Sequence, residues 1–173
     1  SRREPNLERL QALKPDLILV PNDYAPMLDK LQKIAPVMVL SIYTEQRNPW
    51  QRAREVTEIM ASVLGKQTQA NALLAHVDAQ FAIYRSQLSG ITAPIALVNI
   101  TDPRHVRVYG GQGLYQATLD KLGLSNAWQG ETNYWGFATS GIEQLNVKPG
   151  ASLFYFQPVP EQTLATLNQS PLW

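Results

Sequence analysis

The chain has 173 residues and a formal net charge of +1, and 45% of its residues are hydrophobic. A chain of this length forms one domain or two small lobes, and its apolar fraction is too high for a disordered segment. The near-neutral charge, without a run of lysine or arginine, argues against nucleic acid or an anionic membrane as a partner. Because cysteine is absent, disulfides, cysteine-bound metal and a thiol nucleophile are excluded. No stretch is long and apolar enough to predict membrane insertion.

The first part of the chain alternates short helices with short strands. Residues 5–13 and 26–35 carry helical spacing, each with a proline at the start. "DLILV" (16–20) is a continuous apolar run, which predicts a strand buried on both faces of a parallel sheet, and "VMVLS" (37–41) predicts a second strand. This alternation favours an α/β fold.

Two longer helices follow in the sequence. Asn48-Pro49 is a helix-start signal, and an apolar stripe runs from there to Gly65, which ends the helix. Residues 67–88 form a second helical pattern, long enough to join two lobes rather than belong to one. Its apolar residues are expected to face inward, namely Ala70, Leu73, Leu74, Val77, Phe81, Tyr84 and Leu88.

The second half of the chain returns to the α/β pattern. Strands are predicted at 95–100, 105–110 and 152–156, and helices at 114–122 and 161–167. Ser140 and Glu143, three residues apart, have the spacing of a capping box and predict another helix at 140–145. Between these elements, "NAWQGETNYWG" (126–136) is rich in aromatic residues but has neither a helical nor a strand period.

An internal repeat supports two lobes. Residues 7–20 and 142–156 share the order helix, Lys-Pro, buried strand, and a further helical pattern follows each copy. We therefore predict an N-terminal lobe at 1–65, a connecting helix at 66–90 and a C-terminal lobe at 91–173. Ligands of such sheets bind beyond the carboxyl ends of the strands, which here predicts a cleft between the lobes.

Few residues carry the pattern of catalytic or metal chemistry. His76 lies within the long helix. His105 is close in sequence to Asp102, but the chain has no Gly-x-Ser-x-Gly motif that would supply the nucleophile of a catalytic triad. The two histidines have no metal-ligand spacing, which makes a direct metal site improbable. "YGGQGLYQ" (109–116) lacks the lysine of a phosphate-binding loop and is predicted to be a tight strand-to-helix turn. An exposed tryptophan in a polar loop, such as Trp135, suits ligand contact.

Three segments carry a family resemblance: "REPNLERLQALKPDLILV", "DPRHVRVYG" and "LDKLGLSNAWQGETNYWG". They resemble the periplasmic ferric-hydroxamate (ferrichrome-type) siderophore-binding proteins of ABC uptake systems, in the iron and cobalamin class of substrate-binding proteins. The resemblance implies a class III periplasmic binding fold, with two Rossmann-like lobes joined by one long helix. Members are longer at both ends, so the chain is expected to be a central part.

The resemblance also implies site residues. The family's binding arginine, binding tyrosine and ligand-stacking tryptophan correspond to Arg2, Tyr24 and Trp135. Pocket-lining positions correspond to Thr101, Arg107 and Tyr109, and the acids that dock each lobe onto the permease correspond to Asp29 and Glu143. The aromatic rings of 126–136 would then face a ligand.

The resemblance thus implies a non-enzymatic, monomeric periplasmic protein that delivers a ferric hydroxamate to an inner-membrane ABC permease. It implies no resident cofactor, since the iron arrives already wrapped in the siderophore. Two alternatives remain open at this point. The same fold could bind haem, cobalamin or a catecholate siderophore, or the chain could be a small α/β hydrolase that uses Asp102 and His105.

Overall fold

The structure is a computed structural model that describes residues 4–145, 147–159 and 161–169. The helices are α1 (Leu7–Leu13), α2 (Leu28–Leu31), α3 (Pro49–Leu64), α4 (Gln67–Gln87), α5 (Leu114–Leu122) and α6 (Glu161–Asn168). The strands are β1 (Ile18–Val20), β2 (Val37–Val39), β3 (Ile95–Ile100), β4 (His105–Tyr109), β5 (Phe137–Gly141) and β6 (Ser152–Tyr155). Two short 3₁₀ helices cover Asn22–Met27 and Ile142–Gln144. Within the described ranges, no helix combines the length and apolar character needed to cross a bilayer.

The N-terminal sheet consists of β1 and β2, which pair in parallel with Ile18 opposite Val37. Its buried core consists of Ile18, Val20, Leu31 and Ala35, with side chains of α1 and of the segment after β1 packed against it. The expectation that β1 is buried on both faces is wrong, because Leu19 is 42% exposed. These packing elements cover only the face that carries Ile18 and Val20, so Leu19 on the other face remains accessible.

The single helix predicted at 26–35 is also wrong. Pro26 lies inside the 3₁₀ helix rather than at the start of an α-helix, and α2 is only one turn long. The α-helix ends at Leu31, and the Leu31 carbonyl accepts hydrogen bonds from the Ile34 and Ala35 amides at 2.9 and 3.3 Å in the turn that follows. Asp29 nevertheless lies in the first turn of α2, as predicted, and its side chain is exposed.

The helices α3 and α4 form as predicted. The Asn48 side chain accepts a hydrogen bond from the Gln51 amide, and Gly65 ends α3 with a φ of 64°. The predicted inward stripe of α4 is only partly correct, since Leu73 and Tyr84 are 53% and 48% exposed. A helix that spans the space between two sheets has part of its surface away from both, which explains an apolar stripe that is not fully covered.

Contacts from α3 and α5 hold α4 in place. Trp50 of α3 meets Phe81 of α4 edge-on, with ring centroids 5.0 Å apart. Lys121 of α5 lies 4.8 Å from the Trp50 ring centroid and 5.9 Å from that of Phe81. Arg54 of α3 pairs with Asp78 of α4 at 2.9 Å. The long helix is therefore packed against elements from both halves of the chain.

The C-terminal sheet has the strand order β5-β4-β3-β6. Strand β4 is antiparallel to both neighbours, and β6 is parallel to β3. Successive side chains point to opposite faces. We call one the valine face, made of Val98, Ile100, Val106 and Val108, and the other the aromatic face, made of Leu97, Asn99, Arg107, Tyr109, Phe137 and Thr139.

The predicted capping box in this half is wrong. Ser140 lies in β5, opposite Val106, and its hydroxyl donates to the Gly141 carbonyl at 3.0 Å. The following 3₁₀ helix has Gly141 as its N-cap and no side-chain cap. Pairing with β4 extends the backbone through Ser140, so this residue is not available to start a helix.

Strand β6 is more exposed than the buried strand that the sequence predicted. It pairs with β3 alone among the described strands, and Leu153, Phe154 and Tyr155 are each at least 38% exposed. A strand at the edge of a sheet has fewer neighbours to cover its side chains than a central one.

Candidate ligand-binding site between the lobes

Asn126 holds the aromatic segment 126–136 against the C-terminal sheet. Its side-chain amide donates to the Tyr109 carbonyl at 3.0 Å and to Gln116 Oε1 at 2.9 Å. Its Oδ1 accepts a hydrogen bond from the Trp128 amide at 2.8 Å. One side chain thus connects the start of the segment to the end of β4 and to α5.

Asn133 and Gly136 shape the tip of the segment. Asn133 Oδ1 accepts hydrogen bonds from the Trp135 and Phe137 amides at 3.0 and 3.3 Å. The Gly136 amide donates to the Asn133 carbonyl at 3.0 Å, and Gly136 has a φ of 79°, which favours glycine. A Cβ on Gly113 would lie 2.8 Å from the Gly136 Cα, so the turn before α5 approaches the tip closely.

The two tryptophans of the segment have different surroundings. Trp128 packs against the core of the valine face, so the expectation that all rings of the segment face a ligand is wrong for this residue. Trp135 is 52% exposed. Its ring is nearly parallel to Phe137, at an interplanar angle of 18° and a centroid distance of 6.2 Å, and edge-on to Tyr134 at 5.7 Å. Trp135 is therefore held by neighbouring rings while part of its surface remains free.

A cavity of about 240 Å³ lies between the tip of this segment and the N-terminal sheet. Tyr134 and Trp135 line one side, and residues that follow β1 and β2 line the other: Pro21, Asn22, Asp23, Leu40, Ser41, Ile42 and Tyr43. The Tyr43 and Tyr134 rings are 6.4 Å apart. The carboxyl ends of both N-terminal strands thus open into the same space as Trp135, which is the arrangement expected of a ligand cleft.

A more polar cavity of about 820 Å³ adjoins it and shares Asn22 and Tyr134. Arg52 lines this second cavity and is already engaged, since its Nε donates to the Ser41 carbonyl at 3.2 Å and its Nη1 to Glu55 at 2.9 Å. The hydrogen bond from Arg52, with a second from Gln51, lowers the pKa of Glu55. The pair is therefore ionised near neutral pH and contributes no net charge.

Tyrosines gather where the aromatic face meets this cleft. The Tyr109 ring lies 4.3 Å from Tyr115 and 5.7 Å from Phe156. Burial raises the pKa of Tyr43, and proximity to Tyr109 raises it further. Burial likewise raises the pKa of Tyr115, with added contributions from Tyr109 and Tyr43. Because Tyr43 follows β2 and Tyr109 ends β4, the aromatic face is turned toward the N-terminal lobe.

The structure brings together some of the residues proposed from the resemblance. Trp135 lines the cleft, and Tyr109 and Arg107 lie on the aromatic face. Thr101 lies past the other end of this face, roughly 13 Å from Tyr109 along the strands at 3.3 Å per residue, and its hydroxyl donates to the His105 carbonyl at 2.9 Å. Tyr24 lies in the 3₁₀ helix after β1 and packs against the N-terminal core.

The structure says less about the remaining predicted residues. Arg2 lies outside the described residues. Residue Glu143 falls in the 3₁₀ helix Ile142–Gln144, two positions after the strand that contains Ser140. The ligand-binding and docking roles of all eight residues stay predictions.

Sequence reasoning missed Tyr43 and Arg52. Tyr43 could have been predicted from the sequence, because "SIYTE" follows the second apolar strand just as Tyr24 follows the first. Residues beyond the carboxyl ends of neighbouring parallel strands lie at one edge of the sheet. Arg52 had no such signal, since its place in the cleft depends on how α3 packs beside β2.

The geometry at His105 does not support a catalytic triad. His105 Nδ1 lies 3.0 Å from both carboxylate oxygens of Asp102, and the hydrogen bond from the Arg104 amide is the main cause that lowers the pKa of Asp102. Within the described residues, no hydroxyl group is hydrogen-bonded to the His105 ring. The same part of the chain contains no group of three or more histidine or acidic side chains suited to hold a metal ion.

Comparison with known proteins identifies the family. The periplasmic binding protein family model matches residues 1–173. The chain belongs to the periplasmic binding protein family. The iron(3+)-hydroxamate-binding protein FhuD of Escherichia coli (strain K12) is 32% identical over 173 residues, which cover 99% of this chain and 58% of that protein. The Fe(3+) dicitrate-binding periplasmic protein FecB of the same organism is 27% identical over 176 residues, 100% of this chain and 56% of that protein.

Solved protein structures are also similar to this chain. A crystal structure of the siderophore-binding protein FhuD from Vibrio cholerae, with bound Fe³⁺–Desferal, matches with a TM-score of 0.87 and 30% identity. That match covers 100% of this chain and 66% of that one. The catecholate-siderophore binding protein VctP from the same organism matches at a TM-score of 0.63 and 22% identity, over 83% of this chain and 50% of that one, and so shows the fold alone.

These matches confirm the predicted fold class: the chain has the class III periplasmic binding fold of two α/β lobes and a long helix. The family is one of binding proteins, which agrees with the non-enzymatic interpretation. The chain spans about 58% of the length of the E. coli relative FhuD.

Proposed function

We propose that this periplasmic protein binds ferric hydroxamate siderophores in the cleft between its lobes and delivers them to an inner-membrane ABC permease. The observation that carries this proposal is the cavity where Tyr43 meets Tyr134 and Trp135. The similarity to two FhuD proteins, one solved with Fe³⁺–Desferal, supports a hydroxamate as the ligand.

The chemistry of the cleft suits such a ligand. A ferric hydroxamate presents anionic oxygens near the iron and methylene or amide groups around them. The rings of Tyr43, Tyr134 and Trp135 offer apolar surface for the methylene groups, and their polar tips can donate hydrogen bonds. Since the siderophore supplies the iron ligands, the protein needs only ring surface and hydrogen-bond donors to bind the complex.

Residues carried over from the resemblance complete the proposed site. Arg2 would donate a planar fork of hydrogen bonds to the hydroxamate oxygens, and Tyr24 would add a phenolic donor. Arg107 and Tyr109 would line the aromatic face beside the ligand, and Thr101 would contribute only if the ligand extends past the far end of that face.

A titration that follows tryptophan fluorescence tests the proposal. Ferric desferrioxamine should quench the fluorescence because Trp135 would lie against a coloured iron complex, and the iron-free compound should quench much less. Trp135→Phe should remove most of the quench, whereas Trp128→Phe, which changes a ring packed on the core, should keep it. Haem, cobalamin and a ferric catecholate in parallel titrations separate the other ligand classes. Equal quenching by ferric and iron-free hydroxamate, or tighter binding of another class, would contradict the proposal.

The permease would dock against one acid on each lobe, Asp29 and Glu143. Paired electrostatic contacts of this kind set the rate and register of association. Replacing both acids by lysine should leave ligand binding intact and abolish uptake in cells. Normal uptake by the folded double variant would remove the docking role.

A further inference from the structure

Arg107 carries a charge that no described residue neutralises. Its side chain is exposed in the middle of β4, and its guanidinium carbon lies 5.0 Å from the centroid of the Phe137 ring. Among the described residues, no carboxylate lies within ion-pair distance and no oxygen accepts a hydrogen bond from it. The guanidinium is thus positioned on a ring while its five donors remain available.

The position of Arg107 connects it to the proposed cleft. Phe137 lies under Arg107 and also stacks with Trp135 at an interplanar angle of 18°, so the three planar groups form a row that ends at the cavity wall. Cation–π contacts of arginine hold the guanidinium flat without using its donors. A ligand that covers Trp135 and extends along the aromatic face past Phe137 would reach the guanidinium of Arg107.

The neighbours of Arg107 leave its charge intact. Asn99 on β3 and Thr139 on β5 lie directly opposite it, and both are uncharged. The arginine of the adjoining cavity differs, because Arg52 is paired with Glu55 and bonded to the Ser41 carbonyl. Arg107 therefore supplies a full positive charge to the aromatic face.

We infer that Arg107 makes the site select ferric hydroxamates that carry a carboxylate or another anionic group at the periphery of the complex. This inference rests on the proposed function and specifies its ligand class. A carboxylate fits the guanidinium fork with two parallel hydrogen bonds. A peripheral ammonium group would instead meet a like charge, so cationic complexes are disfavoured at the same position.

Three ferric desferrioxamine derivatives with the same iron centre test the inference. The parent compound carries a pendant ammonium group, its N-acetyl derivative has a neutral tail, and its N-succinyl derivative has a carboxylate tail. The unmodified protein should bind the carboxylate form about ten-fold more tightly than the ammonium form, the scale of one charge-assisted hydrogen bond. Isothermal titration at low and high salt measures this ratio, which should shrink as salt screens the charges.

Matched variants assign the preference to Arg107. Arg107→Gln should bring the three affinities together, and Arg107→Lys should keep part of the preference because it keeps the charge. Arg104→Gln removes an exposed arginine from the connection before β4, away from the row of rings, and should leave the preference unchanged. Thermal melting of each variant checks that it is folded.

The outcomes separate the inference from the proposed function. Equal affinity for the three derivatives, or a preference that survives Arg107→Gln, overturns the inference while hydroxamate binding stands. If none of the three ferric complexes binds, the proposed function fails, and the inference fails with it.

Discussion

The two faces of the C-terminal sheet differ sharply although they alternate along the same strands. The valine face is buried, with Val98 and Val108 at 0% exposure and with Trp128 and Ile142 packed against it. The aromatic face carries Tyr109 and Phe137, and Arg107 remains exposed beside them. A strand period of two thus lets one sheet hold the lobe together on one side and present a binding surface on the other.

The two faces also differ in the polar side chains that they carry. Between the faces, the backbone groups of β4 are paired with β3 and β5, so only side chains distinguish the sides. The valine face has no charged side chain to desolvate. The aromatic face keeps a guanidinium and the Tyr109 phenol in a region that is only partly buried, which suits reversible contact with a polar ligand.

The largest expected effect comes from placing a charge on the buried valine face. Val108→Asp would bury an unpaired carboxylate at a position with 0% exposure, at a cost on the order of 4 kcal/mol or more, which is comparable to the total stability of a small domain. We expect this variant to lose its cooperative thermal transition in circular dichroism. Arg107→Asp, one residue earlier and on the other face, should melt close to the parent protein. A Val108→Asp variant that melts within a few degrees of the parent would mean that the valine face is open to water.

An intermediate effect distinguishes the two tryptophans of the aromatic segment. Trp128→Ala removes a ring packed against the valine face and should lower the free energy of unfolding by about 2–3 kcal/mol. Trp135→Ala should change that free energy by about 1 kcal/mol or less, since about half of the residue is exposed. It should weaken ferric hydroxamate binding about ten-fold, which corresponds to about 1.4 kcal/mol. Urea unfolding measures the free energy of unfolding, and ligand titration measures the affinity. If Trp135→Ala mainly lowered stability and Trp128→Ala mainly weakened binding, the roles given to the two rings would be wrong.

The smallest effect concerns the phenols near the aromatic face, and it appears only at alkaline pH. Burial raises the pKa of Tyr43 and Tyr115 above the ordinary value of 10.0, so the folded state holds these protons more strongly than the unfolded chain does. As the pH rises past about 10, the unfolded chain releases them first. The stabilisation present at lower pH is therefore lost as the pH rises through the folded-state pKa.

Replacement of these phenols tests that dependence. Tyr43→Phe and Tyr115→Phe should each make the urea midpoint fall less steeply between pH 9 and pH 11, because each removes one titrating group. Tyr84→Phe, on the exposed side of α4, serves as the control. An unchanged slope in both test variants would show that the folded state does not hold these phenolic protons more strongly than the unfolded chain does.

Much of the fold could be predicted from local signals. Asn48-Pro49 and Gly65 gave the limits of α3, and Gly123 gave the end of α5, because caps act within a few residues of the helix they terminate. The alternation of "HVRVYG" separated Val106 and Val108 from Arg107 and Tyr109, as the structure confirms. The resemblance supplied the fold class, and the family match confirms it.

The errors arose where distant parts of the chain decide local structure. Ser140 has the spacing of a capping box, but pairing with Val106 places it in β5. Leu19 belongs to a continuous apolar run, yet the packing around β1 covers only one of its faces. The approach of Tyr43 to Tyr134 depends on how the lobes meet, which no local pattern encodes.

The close approach of Gly113 to Gly136 has a consequence for protein engineering. A Cβ on Gly136 would collide with Gly113, so the tip of the aromatic segment and the turn before α5 form one interlocking unit, although α5 lies between them in the sequence. A designer who transplants residues 126–136 alone into another scaffold would leave behind the bare backbone surface against which the tip is seated. The transplantable module is instead the continuous stretch from β4 to β5, which brings the turn, α5 and the tip together.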